Sequence, residues 1–327
     1  MSEGSANGAA PGVVVDPFDA VLEIGGASLR EAMADVEARL REITRIDEHS
    51  LGTVAAGGKR LRPLLVFVAG LGSKARVELS RAAAAVELIH SATLVHDDVL
   101  DDAPLRRGSR TVYAAAGRDA ATATGDLLFS TAFAELARNG ELEQLRALSS
   151  ASAALARGEL MQRADAWRAD VTLERYLARC ELKTARLFGA ACELGALAGG
   201  GPPLGPFGHA IGLAFQLLDD VLDITGPEQR TGKRRGTDLL DGTVTLPLIL
   251  ARERSPELWK LDLREIEGPA DAERICELID ATGAAVQARA DAVEVVVKAK
   301  SELPDRCPPR QRRALELVAD SLVERYS

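Results

Sequence analysis

The pentapeptide DDVLD occurs twice, at 97–101 and at 219–223. Carboxylates this close repel one another: on a helix, each like-charged pair four residues apart costs roughly 0.2–0.5 kcal/mol. A sequence that keeps both clusters must supply cations for them. Hard, all-oxygen clusters suit Mg²⁺, which retains much of its water and is often shared between one or two carboxylates and substrate phosphates. The basic residues point to phosphate as well. Arg106 and Arg107 follow the first acidic run, and Lys233, Arg234 and Arg235 follow the second. Lys59, Arg60 and Arg62 lie in the Gly-rich GGKRLRP, and Lys183 begins KTARLFG. Arginine forks and lysine point charges are the usual anion clamps. A Gly-Gly turn also lets backbone N–H groups approach the same anion. A solvated acidic surface is the competing reading. It leaves unexplained two identical pentads, each ending an apolar stretch and each followed by a basic loop.

Helices must position these groups. With 81–102 read as one helix, His90, Thr93, Asp97 and Asp101 recur at helical steps and form one stripe, while Leu88, Ala92, Val95 and Val99 form an apolar one. Asp98 and Asp102 flank the acidic stripe. With 207–224 read as a second helix, Gly208, Gly212, Gln216, Asp219 and Asp223 share a stripe. Two such faces opposed would enclose a deep cavity with carboxylates at its mouth and small residues below. A further helix is expected from SLREAMADVEARLREI, with Ser28 as its N-cap. The chain breaks at 55–63, 103–111, 199–206 and 225–238, where Gly, Pro and basic residues gather.

The chain has 327 residues, of which 46% are hydrophobic and only 4% aromatic. Dominance of Ala and Leu favours helices, and no βαβ rhythm or GxGxxG appears. Composition does not shift along the chain. The expectation is one all-α domain over 16–327, preceded by a disordered tail at 1–15. A net charge of −9 argues against nucleic-acid binding. The four cysteines form no CxxC pair, so neither a zinc site nor a disulfide framework is indicated. No signal peptide is expected from MSEGSANGAAPGVVV, and no apolar run of about 20 residues could span a bilayer. The expected location is cytoplasmic, without stable membrane insertion.

In order along the chain stand GGKRLRP, LIHSATLVHDDVLDDAPLRRG, GDLLF, GELMQ, KTARLFG, FQLLDDVLD and GTDLLDGTVTLPLI. This series resembles the trans-polyprenyl diphosphate synthases over nearly the whole chain after about residue 50. A single DDxxD is shared with terpene cyclases; the pair together with GGKRxRP and RRG is far more specific. The resemblance implies antiparallel helices around a central cavity, a homodimer, and Mg²⁺-dependent condensation of an allylic diphosphate with isopentenyl diphosphate. It implies that Asp97, Asp98, Asp101, Asp219, Asp220 and Asp223 hold Mg²⁺ and that Arg106, Lys183 and Lys233 contact the allylic diphosphate. It assigns Lys59, Arg62, His90 and Arg107 to the isopentenyl diphosphate, and sets Thr184 and Gln216, with Lys183, beside the reacting atoms. The chain departs from the family pattern at Thr243, where lysine is common, and at Thr237.

The resemblance also implies that the positions four and five before the first acidic motif set the depth of the product pocket. Here they are the small Thr93 and Ala92, so the expected product is a medium- or long-chain polyprenyl diphosphate, with geranylgeranyl diphosphate as the alternative. Phe129, Phe133 or Met161 could close the floor instead. Among other classes, a class I terpene cyclase would carry a different second metal motif. A phosphohydrolase built on His96–Asp97 would need supporting histidines. A non-catalytic subunit of a heteromeric synthase would typically lack one or both acidic motifs.

Overall fold

The computed structural model describes residues 17–44, 60–106, 108–226 and 235–325. The tail expected at 1–15 lies outside them. Fifteen helices of very different length make up almost all of what is described. The chain opens with α1 (Pro17–Thr44), α2 (Leu61–Ala69) and α3 (Arg76–Leu100), followed by a hairpin of β1 (Leu105–Arg106) and β2 (Ser109–Arg110). Next come α4 (Val112–Ala116), α5 (Arg118–Ala137), α6 (Leu142–Asp165) and α7 (Leu173–Cys180). A π-helical turn (Glu181–Ala185) runs directly into α8 (Arg186–Gly199), and α9 (Gly205–Thr225) and the short α10 (Thr237–Leu240) follow. The C-terminal part holds α11 (Leu246–Arg254), α12 (Pro256–Lys260), α13 (Pro269–Ala281), α14 (Ala284–Ser301) and α15 (Pro309–Arg325).

The helix bounds and one of the breaks differ in detail from the sequence reading. The first helix begins upstream of Ser28, at Pro17, and its one break is Gly26, whose φ of 69° lies outside the helical region. A helical segment resumes directly after Gly26, so a helix start lies within two residues of Ser28. The third helix stops at Leu100 rather than at 102. Asp102 has a φ of 48°, a left-handed conformation that turns the chain into the hairpin. That hairpin is the described β-structure, and it lies in a segment read only as a break.

Helix α8 is the hub, packing against α2, α3, α6 and α9. Its backbone approaches its neighbours closely because glycines line the contacts. A methyl group on Gly208 of α9 would lie 2.4 Å from the Phe188 carbonyl oxygen and 2.7 Å from Cys192 Sγ. One on Gly212 would lie 2.7 Å from Ala185 Cα and from Phe188 Cβ. The small residues on this face thus serve helix packing, and the expectation that they leave open space below the second acidic motif is corrected. The apolar stripe of α3 is where the sequence placed it: Leu88, Ala92, Val95 and Val99 are all buried. All four cysteines are buried and unpaired. Among the described residues, no helix is long and apolar enough to cross a membrane.

This packing carries a direct test. Gly208→Ala gains helix propensity but forces a methyl group into backbone and sulfur atoms, and overpacking of this kind costs about 1–3 kcal/mol. Urea unfolding should show a net loss of stability. Wild-type stability would mean that α8 and α9 can separate at no cost.

Candidate active site

The first acidic cluster sits at the C-terminal end of α3. Asp97 and Asp101 are one turn apart on the accessible side, with His90 and Thr93 half-buried on the same stripe. The Asp101 N–H still donates to the Asp97 carbonyl (2.9 Å), so Asp101 closes the helix. Asp98 turns the other way. It is 0% exposed, and Arg106 Nε on β1 donates to its Oδ1 at 2.7 Å. Its Oδ2 is buried with no hydrogen-bond donor among the described residues. Burial pushes the Asp98 carboxyl up, and the Arg106 guanidinium opposes the shift. Asp97 is pushed up to about 6, chiefly by burial; Lys183 opposes this, while Glu159 and Asp101 add to it. Removing a carboxylate from water disfavours its charged form.

Two elements bring cations to this cluster. Lys183 lies in the π-helical turn and donates from Nζ to Glu159 Oε2 (2.5 Å) and to Gln162 Oε1 (3.2 Å), both on α6. The two backbones can approach because position 158 is glycine: a methyl group there would lie 2.7 Å from the Lys183 nitrogen. Arg163, on the same face of α6, donates from Nε to Glu159 Oε1 (2.8 Å) and from Nη2 to Asp101 Oδ1 (2.6 Å). Neither Glu159 nor Arg163 was singled out from the sequence. Their four-residue spacing within GELMQR is the signal that could have found them.

The second cluster is held from the next residue of the π turn. Thr184 Oγ1 donates to Gln216 Oε1 (2.7 Å), and Gln216 Nε2 donates to Asp220 Oδ1 (2.7 Å). The Tyr176 hydroxyl, from α7, donates to Asp220 Oδ2 at 2.6 Å. Asp220 is 3% exposed, and its carboxyl is pushed up to about 7, mainly by burial, with the Tyr176 and Gln216 hydrogen bonds opposing. Tyr176 was missed: a tyrosine in an amphipathic helix reads as core, and only the fold shows its hydroxyl reaching α9. Asp219 is exposed. The Asp223 carboxylate accepts from the Thr237 and Asp238 N–H groups (3.1 and 3.2 Å), so it caps α10. The sequence treated the six aspartates alike. The structure turns Asp98 and Asp220 inward, because each is second in its pentad and falls on the core side of its helix.

Other expected site residues separate in the same way. The Arg62 guanidinium stands 4.6 Å from the centroid of the Phe188 ring, a cation–π contact at the start of α2. Its neighbour Arg60 is structural, pairing with Glu37 of α1 and, at 2.7 Å, with Glu87 of α3. Thr93 donates from Oγ1 to the His90 carbonyl (2.7 Å) and stays partly accessible, whereas Ala92 is 0% exposed. Thr93 thus has an accessible face on the stripe, whereas Ala92 packs within the apolar one. Phe129 and Phe133 are partly buried on α5, and the Phe129 ring lies 5.7 Å from that of His96. Lys59, Arg107 and Lys233 lie outside the described residues. Among those described, no three acidic, histidine or cysteine side chains gather closely enough to hold a metal ion unaided. The accessible donors are all carboxylate oxygens. This fits an ion whose shell is completed by water and diphosphate rather than by a protein cage.

A model of the polyprenyl synthetase family matches residues 44–282. Heptaprenyl diphosphate synthase component 2 of Geobacillus stearothermophilus is 39% identical over 277 residues, covering 81% of this chain and 84% of that one. Octaprenyl diphosphate synthase of Escherichia coli (strain K12) is 35% identical over 311 residues, covering 90% and 95%. The crystal structure of a polyprenyl synthase from Caulobacter crescentus CB15, complexed with calcium and isoprenyl diphosphate, has a TM-score of 0.87 at 34% identity, covering 95% of this chain and 98% of that one. With the fold, the doubled acidic motif and the family match all running through the same helices, the chain belongs to the polyprenyl synthetase family.

Proposed function

We propose that this protein is a prenyltransferase that condenses an allylic diphosphate with isopentenyl diphosphate to a medium- or long-chain all-trans polyprenyl diphosphate. The observation that carries the reading is the pair Lys183–Thr184. Consecutive residues on one π turn reach opposite acidic clusters, Lys183 through Glu159 and Thr184 through Gln216. An allylic diphosphate with its head between the clusters would meet cations on one side and a polar amide on the other. The relatives named heptaprenyl and octaprenyl diphosphate synthase support the chain-length class.

In this reading Asp97, Asp101 and Asp219 hold Mg²⁺. The ion, when bound, supplies Lewis-acid stabilisation of the departing pyrophosphate. Lys183, tethered by Glu159 and Gln162, adds a fixed positive charge where negative charge develops on the leaving group. Arg62 and His90, at the start of α2 and on α3, are assigned to the second diphosphate. Asp98 holds Arg106, and Tyr176 with Gln216 holds Asp220, so these carboxylates orient the walls of the site. The allylic C–O bond breaks, the isopentenyl double bond attacks the allylic carbon, and a proton leaves for the released pyrophosphate. A cytoplasmic location belongs to the same reading, supported by four unpaired cysteines. So does a homodimer. The words "component 2" in the name of the Geobacillus relative favour a second assembly, with an unlike subunit. Analytical ultracentrifugation of the purified chain, alone and at rising concentration, separates the two.

The activity is tested by incubating the protein with labelled isopentenyl diphosphate and each allylic primer, then sizing the products. Incorporation into chains beyond farnesyl length is expected. No incorporation with any primer would remove the reading. Asp97→Asn and Asp219→Asn should each lower kcat about 100-fold or more, in line with lost transition-state charge stabilisation, with unchanged circular dichroism. Asp98→Ala should behave differently. It leaves Arg106 half-buried without its partner and should lower stability by about 1–3 kcal/mol in a urea melt.

Product length has its own test. Thr93 lies one turn deeper than Asp97 on the accessible stripe, so a growing tail would pass it. An aromatic ring there adds on the order of 150–250 Å² of apolar surface. Thr93→Phe should shorten the product toward farnesyl length while the first condensation survives. An unchanged distribution at normal rate would mean that the tail runs elsewhere.

A further inference from the structure

A cation already sits on the first acidic cluster. Arg163 Nη2 lies 2.6 Å from Asp101 Oδ1. Its Nε is held at 2.8 Å by Glu159, one turn back on α6, and Glu159 also carries Lys183 at 2.5 Å. Three carboxylates (Asp97, Asp101 and Glu159) are thus offset by two cations. We propose that Arg163 is a built-in competitor for the divalent cation: it occupies Asp101 in the metal-free protein and yields that oxygen when the ion arrives. The inference rests on the reading that Asp97 and Asp101 hold the ion.

The geometry suits an exchangeable partner rather than a fixed one. Side-chain exposures of 39% for Arg163 and 51% for Asp101 leave the pair in contact with water, and such pairs are weak. By contrast, the Asp98 side chain in the Arg106 pair next door is 1% exposed. When Arg163 gives up Asp101, its second bond to Glu159 keeps it tethered at the mouth of the site. A diphosphate entering with the ion offers the freed guanidinium a new anion. The competition therefore weakens binding of the bare ion and penalises it less when diphosphate is present.

The test is titration of the full-length protein with Mn²⁺, the free ion read by electron paramagnetic resonance, with and without inorganic pyrophosphate. Arg163→Gln should tighten Mn²⁺ binding in the absence of pyrophosphate by about threefold or more, and by less in its presence. Arg163→Lys, which keeps the charge, should stay close to wild type. Arg118→Gln controls for charge in general, since Arg118 pairs with Asp102 at the same end of α3 (2.9 Å) and is also exposed. Equal tightening by Arg118→Gln and Arg163→Gln would reduce the effect to long-range charge and overturn the proposal. Unchanged binding in Arg163→Gln would also overturn it, and the metal-site reading would stand if Asp101→Asn weakens binding. Wild-type Mn²⁺ affinity in both Asp97→Asn and Asp101→Asn would remove the metal site and this inference together.

Discussion

The constraint on which the rest depends is that carboxylates crowded at the ends of two helices must be paired or hydrogen-bonded by groups from other elements. The π turn at Glu181–Ala185 serves both clusters, bringing the Lys183 charge to the first and the Thr184–Gln216 hydrogen bond to the second. Lys183 and Thr184, consecutive on this turn, make their side-chain hydrogen bonds to different helices, α6 and α9. Single π turns inside helices recur at functional sites. Lys183 is in turn fixed by Glu159 and Gln162. The cation that acts most strongly on Asp97 is therefore held in place by protein groups.

Each acidic motif divides its aspartates between two tasks. The first aspartate of each pentad is the accessible one of the leading pair, while the second is buried and held by protein groups, Asp98 through Oδ1 alone and Asp220 through both carboxylate oxygens. Burying a carboxylate is costly unless it is paired or hydrogen-bonded. Arg106 supplies the first partner, and Tyr176 with Gln216 the second. The inward aspartates thus anchor a hairpin and α7 to the helices that carry the outward ones. The site is stiffened by groups with no need to touch a ligand.

The glycines act at one remove from the chemistry. Gly158 lets α6 approach the π turn, so that Glu159 reaches Lys183; Gly208 and Gly212 let α9 approach α8, so that Gln216 reaches Thr184. A methyl group at any of these positions would push apart the two helices that each hydrogen bond joins. Close backbone packing is therefore what brings these donors and acceptors within hydrogen-bond reach across helices, at 2.5 and 2.7 Å.

Much of the protein was legible in the chain itself. Helical steps placed His90, Thr93, Asp97 and Asp101 on one stripe and Leu88, Ala92, Val95 and Val99 on another, because that depends only on the 3.6-residue period. The doubled DDVLD with its basic neighbours pointed to a divalent cation and phosphate, because charge crowding requires a counter-ion whatever the fold, and the resemblance to a known family supplied the diphosphate substrates. What the period could not supply was the identity of the facing element. It could not show that Asp98 and Asp220 turn inward, that Gly208 and Gly212 meet α8 rather than a cavity, or that Ala92 is sealed. Nor could it show that Tyr176, Glu159 and Arg163 belong to the site. Each of these is a contact between segments distant in sequence. Such contacts are fixed by how closely α6, α8 and α9 pack, which local spacing does not encode.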